Sequence, residues 1–216
     1  MSQFVFNLEL QESFKKSDFF VNSTNKQAVN LVELWPNWHN KAAIIYGDRK
    51  SGKSHLGNIW LQKSNAKFID IKTMDITRDN FTNHCYLIDN FSYIKPEQEN
   101  IILDMYNDAL FNNNYVLFLC NIENRIKFKF KDLESRFNSF LSTSIRDPDD
   151  QVIEVIVVKY FSDNQVTIAR DVIKYLVGRI IRNYSGISIT LNNINDLSFK
   201  NKQKITIPFL RDNFFK

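Results

Sequence analysis

The stretch Gly47-Asp48-Arg49-Lys50-Ser51-Gly52-Lys53-Ser54 constrains this chain more than any other, because of what stands on either side of it. Before it runs Ala42-Ala43-Ile44-Ile45-Tyr46, a continuous apolar segment of strand length; after it, His55 to Gln62 reads as helix. A short strand that is apolar on both faces belongs inside a parallel sheet. The glycines let the intervening loop turn so that successive backbone N–H groups face inward. A helix starting at the loop's end directs its positive dipole end at the same point. Gly47-x4-Gly52-Lys53-Ser54 thus meets every required position of a phosphate-binding loop, in the strand-then-helix setting such a loop needs. The chain has only five glycines, and three of them, Gly47, Gly52 and Gly57, fall in this neighbourhood. Glycine abundance does not explain the match.

A loop of this kind implies ADP or ATP. The backbone around Gly47, Ser51 and Gly52 cradles the phosphates, Lys53 reaches the β- and γ-phosphates, and Ser54 Oγ is a ligand for Mg²⁺. An acid at the end of a neighbouring strand then holds the metal's water shell, and Tyr86-Leu87-Ile88-Asp89 supplies one. The residue after it is Asn90, where a second acid would orient the attacking water. An amide cannot act as a base, so slow hydrolysis by this chain alone is expected. Asn121, after the apolar run Tyr115 to Leu119, reads either as a contact to the γ-phosphate or lytic water, or as a turn residue. Arg136, in Asp132-Leu133-Glu134-Ser135-Arg136-Phe137, reads either as a surface ion-pair former or as a group projecting into a neighbouring subunit's nucleotide. The residues alone do not choose between these.

The rest of the chain supplies the setting. Buried-type strands are predicted at Lys67 to Ile71, Cys85 to Ile88 and Tyr115 to Leu119, alternating with helical segments such as Pro96 to Leu110. That alternation predicts an α/β fold, a parallel sheet covered by helices on both faces. A helix is expected from Asn25 to Trp35, stopped by Pro36. Past Arg146 to Asp150 the pattern becomes helical. Asp171 to Tyr184 reads as one amphipathic helix with Val172, Ile173, Leu176, Val177, Ile180 and Ile181 on one face, followed by helices from Ile187 to Leu197 and after Ile207-Pro208. The expected division is an extended arm over 1–17, an α/β base over 18–148 and a small all-α lid over 149–216. The net charge of +4 is spread along the chain, and Lys200 to Lys204 is a solvated stretch, so no nucleic-acid surface is implied. Cys85 and Cys120 each sit in an apolar run and read as reduced, buried thiols. Without a leader-type start or a spanning apolar run, the expected setting is cytoplasmic, with no membrane.

With these motifs assembled, the chain resembles the Hda-type proteins, short homologues of the bacterial replication initiator DnaA within the AAA+ P-loop family. The resemblance runs nearly end to end. It includes Asp18-Phe19-Phe20-Val21 and the Asn25 to Trp38 segment with Trp35-Pro36-Asn37-Trp38, Gly52-Lys53-Ser54-His55-Leu56, Ile88-Asp89-Asn90, Asp132-Leu133-x-Ser135-Arg136 and Lys204-Ile205-Thr206-Ile207-Pro208-Phe209. It implies that Val21 and His55 join the nucleotide site and that Arg136 is an arginine finger acting in trans on ATP held by DnaA. It also implies a partner for the arm, the DNA polymerase III sliding clamp (its β subunit). Gln3-Phe4-Val5-Phe6-Asn7-Leu8 is similar to a clamp-binding peptide, with Gln3 leading and Phe4, Phe6 and Leu8 as apolar anchors. The position that would carry a lid arginine is Ser185, with Arg182 one helical turn away. Nothing after Lys216 is expected to supply a helix-turn-helix, so no sequence-specific DNA reading is expected. Self-association is left open.

The leading expectation is therefore a regulator of replication initiation that binds nucleotide, docks on the clamp and promotes hydrolysis of DnaA-bound ATP. The competing ones are a self-contained P-loop ATPase, helicase-loader-like or DnaA-like, and a clamp-binding partner whose phosphate loop is vestigial.

Overall fold

The computed structural model describes residues 20–75 and 83–215. Helix α1 (Lys26–Leu34) precedes strand β1 (Ala42–Gly47) and helix α2 (Lys53–Ser64). Then come β2 (Lys67–Asp70), β3 (Tyr86–Asp89), α3 (Pro96–Phe111), β4 (Val116–Asn121), α4 (Lys131–Asn138) and β5 (Leu141–Ser144). Four helices follow: α5 (Asp150–Asp163), α6 (Arg170–Val177), α7 (Tyr184–Asn201) and α8 (Ile207–Asn213). The five strands form one sheet in the order β2-β3-β4-β1-β5, every pair parallel.

Alternation along the strands sorts the core into two layers. Ala42 and Ile44 face α3 and α4 with Ile88, Phe118, Met105 and Phe137. Ala43 and Ile45 face α1 and α2 with Leu87, Leu119, Trp38 and Trp60. Both faces are apolar because both are covered, as a parallel sheet requires. Trp38 stacks on Trp60 at 5.3 Å between ring centroids, and the Trp38 indole N–H donates to the Leu31 carbonyl at 2.7 Å. Cys85 and Cys120 are free and buried.

Three expectations need correction. The segment Asp171 to Tyr184 is not one helix. Helix α6 ends at Val177 with Gly178 as its C-cap, and α7 starts afresh after Asn183, whose side-chain oxygen accepts from the Gly186 N–H at 2.6 Å. Ile181 falls in the connection and is 60% exposed rather than buried. Strand β5 is additional to the expected strands, and so is the long helix α5. Leu-Ser-Thr-Ser is too short and polar to read as a strand, and it joins the sheet only because β1 offers a free edge. The run Val152 to Val158 is rich in β-branched residues, which lowers helix preference. The cap from Asp149 to the Val152 N–H at 3.0 Å and burial of Ile153, Val157 and Phe161 override that. The arm residues Gln3, Phe4, Phe6 and Leu8 lie outside the described residues.

Helices α5 to α8 enclose their own core, built on Ile153, Phe161, Leu176, Leu191 and Leu210. They meet the base where the Tyr184 hydroxyl lies 3.0 Å from Thr24 Oγ1 and Ser23 Oγ donates to Asp149 at 2.7 Å.

Gly57 sets how closely α2 approaches the sheet. A Cβ there would come within 2.8 Å of Leu119 Cδ1 and 3.1 Å of Leu87 Cδ1, and both leucines are fully buried. Gly57→Ala is expected to lower stability by about 1 kcal/mol. Overpacking costs roughly 1–3 kcal/mol, against a helix-propensity gain of about 1 kcal/mol. The denaturant midpoint measures it.

Candidate functional site

The site lies beyond the carboxyl ends of the strands, where open α/β sheets bind ligands. Register makes it so. Gly47 on β1 stands opposite Asn121 on β4, while Asp89 on β3 stands opposite Asp70 on β2. Between the loop, these strand ends and the start of α7 lies a cavity of about 440 Å³.

The loop is folded for an anion. Lys50 and Gly52 adopt positive φ (63° and 96°), and Gly52 caps α2 in the left-handed region that suits glycine. Helix α2 therefore opens on the loop with its first-turn N–H groups, an anion-binding end. Gly47 has no room for a Cβ, which would lie 2.6 Å from Ser51 Oγ. Lys53 Nζ donates to the Gly47 and Asp48 carbonyls at 2.7 and 2.6 Å. Burial pulls the Lys53 ammonium below the usual lysine range, and the charges of Asp89 and Asp48 oppose that pull.

Asp89 stands where a metal could be held. Its Oδ2 accepts from Ser54 Oγ at 2.9 Å and its Oδ1 from the Asn90 N–H at 2.6 Å. One hydroxyl and one carboxylate in contact suit Mg²⁺, which keeps most of its waters and takes few protein oxygens. Among the described residues no cluster of three or more His, Cys, Asp or Glu could form a metal cage instead.

Asn90 adopts φ 56° and donates from Nδ2 to Asp70 Oδ1 at 2.9 Å. Asp70 also accepts from the Lys72 N–H at 3.0 Å and Thr73 Oγ1 at 3.1 Å. Desolvation would raise the Asp70 carboxyl, but these bonds and the Lys72 charge hold it below its ordinary value. Asn121 is fixed by reciprocal bonds with Ser92: its N–H donates to Ser92 Oγ at 2.8 Å, and that hydroxyl donates to its carbonyl at 3.1 Å. Its Oδ1 accepts from the Glu123 N–H at 3.1 Å.

The cavity brings together Lys53, Ser54, Asp89 and Asn121 from the sequence expectations. Val21 and His55 do not line it. Val21 is half exposed and borders a separate apolar hollow with Val29, Leu56 and Ile59, between α1 and α2. Arg136 does not line it either. On α4 its guanidinium lies 3.4 Å from Asp132 and 5.8 Å from the centre of the Tyr106 ring, with its side chain 37% exposed. Ser185, at the expected lid-arginine position, does line the cavity and reaches back to the loop. Its Oγ donates to the Arg49 carbonyl at 3.3 Å. Arg182 is paired with Asp150 at 2.5 Å and does not face the cavity.

Sequence reasoning missed Arg49, Lys50, Lys72, Tyr93 and Ile189 as cavity residues. Arg49 and Lys50 fill the variable positions of the loop motif, and Lys50 Nζ donates to Ser188 Oγ on α7 at 2.6 Å. Lys72 and Tyr93 carry no motif at all; only sheet order brings them in.

Fold and site together define a parallel α/β fold of the AAA+ type that carries a phosphate-loop motif at its strand ends. The family model described as "Hda, lid domain" matches residues 156–214. Over that lid segment the chain is similar to Hda-type proteins, and over nearly its whole length it is similar to DnaA. It is 26% identical to the chromosomal replication initiator protein DnaA of Buchnera aphidicola subsp. Cinara cedri (strain Cc), over 97% of this chain and 54% of that one. It resembles in fold domain III of Thermotoga maritima DnaA, with a TM-score of 0.70 at 15% identity over 92% of this chain and 96% of that one. It also resembles AMPPCP-bound DnaA from Aquifex aeolicus, with a TM-score of 0.66 at 16% identity over 86% of this chain and 66% of that one. The chain spans about half the length of the curated relatives it matches. Among the described residues no helix is long and apolar enough to cross a membrane.

One buried acid bears on how Arg136 is presented. Glu99 on α3 is 1% exposed, and its carboxylate accepts from the Lys129 N–H at 3.0 Å and the Phe130 N–H at 2.8 Å. Phe130 is the N-cap of α4 and has no side-chain cap of its own, so Glu99 supplies the acceptor and the negative charge that a helix start favours. Glu99→Ala is expected to strand those N–H groups at a cost of about 3 kcal/mol. Hydrogen exchange at residues 129 and 130 should accelerate together with a fall in the denaturant midpoint.

Proposed function

We propose that this chain is a nucleotide-binding regulator of replication initiation, and that its catalytic contribution is made in a partner's site. The observation that carries this reading is the separation of two functions. The phosphate loop, Ser54 and Asp89 face one cavity, while Arg136 stands partly exposed on α4 outside it, held by a 3.4 Å contact to Asp132 and by the Tyr106 ring at 5.8 Å. A weakly held surface guanidinium gives up little when it turns toward a new anion.

In the chain's own site the loop amides and Lys53 hold the phosphates of ADP or ATP, and Ser54 and Asp89 hold Mg²⁺ through its waters. The metal supplies charge neutralisation there. Asn90 orients but accepts no proton, and its amide is tied to Asp70, so turnover is slow and the nucleotide serves chiefly to set the lid against the base. Asn121 stands at the γ-phosphate end. Val21 and His55 belong to the nucleotide's surroundings rather than to the phosphate cavity.

The partner is DnaA, as the Hda lid and the DnaA-like fold favour. Arg136 enters the DnaA nucleotide site and stabilises the charge that develops on the transferring phosphoryl group, a role worth about 10³–10⁵ in rate. The arm residues Gln3, Phe4, Phe6 and Leu8 dock on the sliding clamp by filling an apolar groove. The second reading, a self-contained ATPase, is disfavoured by Asn90.

The deciding experiment follows hydrolysis of ATP bound to purified DnaA on addition of this protein with DNA-loaded clamp. Wild type should accelerate it. Arg136→Ala should lose at least about 10³-fold of that acceleration while retaining nucleotide and clamp binding, and removal of residues 1–10 should abolish clamp dependence. Fast turnover by the chain alone, lost in Asp89→Ala, would instead establish the ATPase.

A further inference from the structure

We propose that Lys72 reads the terminal phosphate of a bound nucleoside triphosphate, making the outer sheet edge rather than the lid the part of this site that tells triphosphate from diphosphate. This rests on the nucleotide-binding reading above and names the residue that sets its specificity.

Three observations place Lys72. Strand β2 runs beside β3 with Asp70 opposite Asp89, so the chain leaving β2 turns over the same edge that carries the metal-side acid. That turn is pinned at both ends. Asp70 accepts from the Lys72 N–H and from Thr73 Oγ1 within the turn, and from Asn90 Nδ2 across to the residue following Asp89. The Lys72 backbone is thereby tied to the β3 end. Finally, Lys72 Nζ lies 3.6 Å from the centre of the Tyr93 ring, in the short turn Phe91–Tyr93 that follows Asn90. Pinned turn and aromatic rest hold the ammonium at the wall of the cavity.

Of the other cations, Arg49, Lys50 and Lys53 all stand on or at the end of the phosphate loop, across from the β2–β3 edge, and Arg182 lies outside the cavity. Lys53 Nζ donates to two loop carbonyls, Lys50 Nζ donates to Ser188, and Arg182 pairs with Asp150. Lys72 forms no ion pair among the described residues. The lid contributes Ser185 and Ile189 to the same cavity, and neither carries charge. Two phosphates are satisfied by the loop amides and Lys53. A third extends past Asp89 toward the wall formed by Lys72, Asn90, Tyr93 and Asn121. An ammonium resting on an exposed ring is held more weakly than one hydrogen-bonded to a phosphate oxygen, so Lys72 exchanges the ring for the phosphate when it is present. Tyr93 is the positioning residue: desolvation would raise its phenol, but bonds from Asn124, Asn121 and Lys72 and the Lys72 charge hold it below its ordinary value.

The test is calorimetric titration of the full chain with AMPPCP and with ADP, each with Mg²⁺, for wild type, Lys72→Ala and Lys72→Arg. Lys72→Ala should weaken AMPPCP about tenfold and ADP less than about twofold, the loss of one charge-assisted bond. Lys72→Arg should keep most of the preference. An unchanged ratio of the two affinities in Lys72→Ala overturns the assignment while leaving nucleotide binding intact. Wild-type protein that binds neither nucleotide overturns the nucleotide reading itself, and the Lys72 role with it.

Discussion

Parallel strands in a shared register end together, and whatever follows each of them emerges at one edge. In this protein that constraint governs the rest. Gly47, Asp89 and Asn121 close β1, β3 and β4, so the loop, the metal-side acid and the polar amide meet without any of them being near the others in sequence. The strands can end there only because their bodies are buried on both faces, between α1 and α2 on one side and α3 and α4 on the other. Gly57, deep in that packing, determines how closely α2, and hence the helix start that follows the loop, can approach the sheet.

The same sheet carries the second element. Helix α4 follows β4 and packs Leu133 and Phe137 against the face opposite α2. Its exposed side then carries Arg136 away from the cavity. A carboxylate buried on α3 fixes where that helix starts. Glu99 is costly to bury and is compensated by backbone donors at residues 129 and 130. It holds α4 at the end from which Arg136 projects one turn and a half later. An acid in the core thus serves the placement of a base on the surface.

The lid is joined to this frame by polar contacts as well as packing. Ser185 and Ser188 at the start of α7 touch Arg49 and Lys50 of the loop, and Tyr184 reaches Thr24 at the head of α1. The two loop contacts involve residues that line the cavity, Arg49, Lys50 and Ser185. A ligand that orders the loop therefore also acts on α7, by the shortest possible path.

Much of this was legible from the amino acids, and the reason is local chemistry. Gly47-x4-Gly52-Lys53-Ser54 between an apolar run and a helix allows few backbone paths, and Ile88-Asp89 announces a strand that ends in an acid. The α/β pattern, the helical lid and the Hda-type resemblance rest on such short-range signals. Where the chemistry was not local, the sequence was silent or misleading. Leu141 to Ser144 has no strand signal, and is a strand because β1 has an open edge. Asp171 to Tyr184 keeps a helical period across Gly178, and breaks because Asn183 caps a second helix. Val21 borders a separate hollow between α1 and α2 rather than this cavity, since its surroundings depend on how α1 and α2 pack. Lys72 and Tyr93 belong to no motif and reach the cavity through strand order and an Asp70–Asn90 bond between neighbouring strands. What the sequence determined by itself was the loop, its lysine and its acid, because those depend on residue type and spacing. Which charges line the cavity, and which stand outside it, was decided by tertiary structure, because direction and distance arise only when the sheet is closed and its helices are packed.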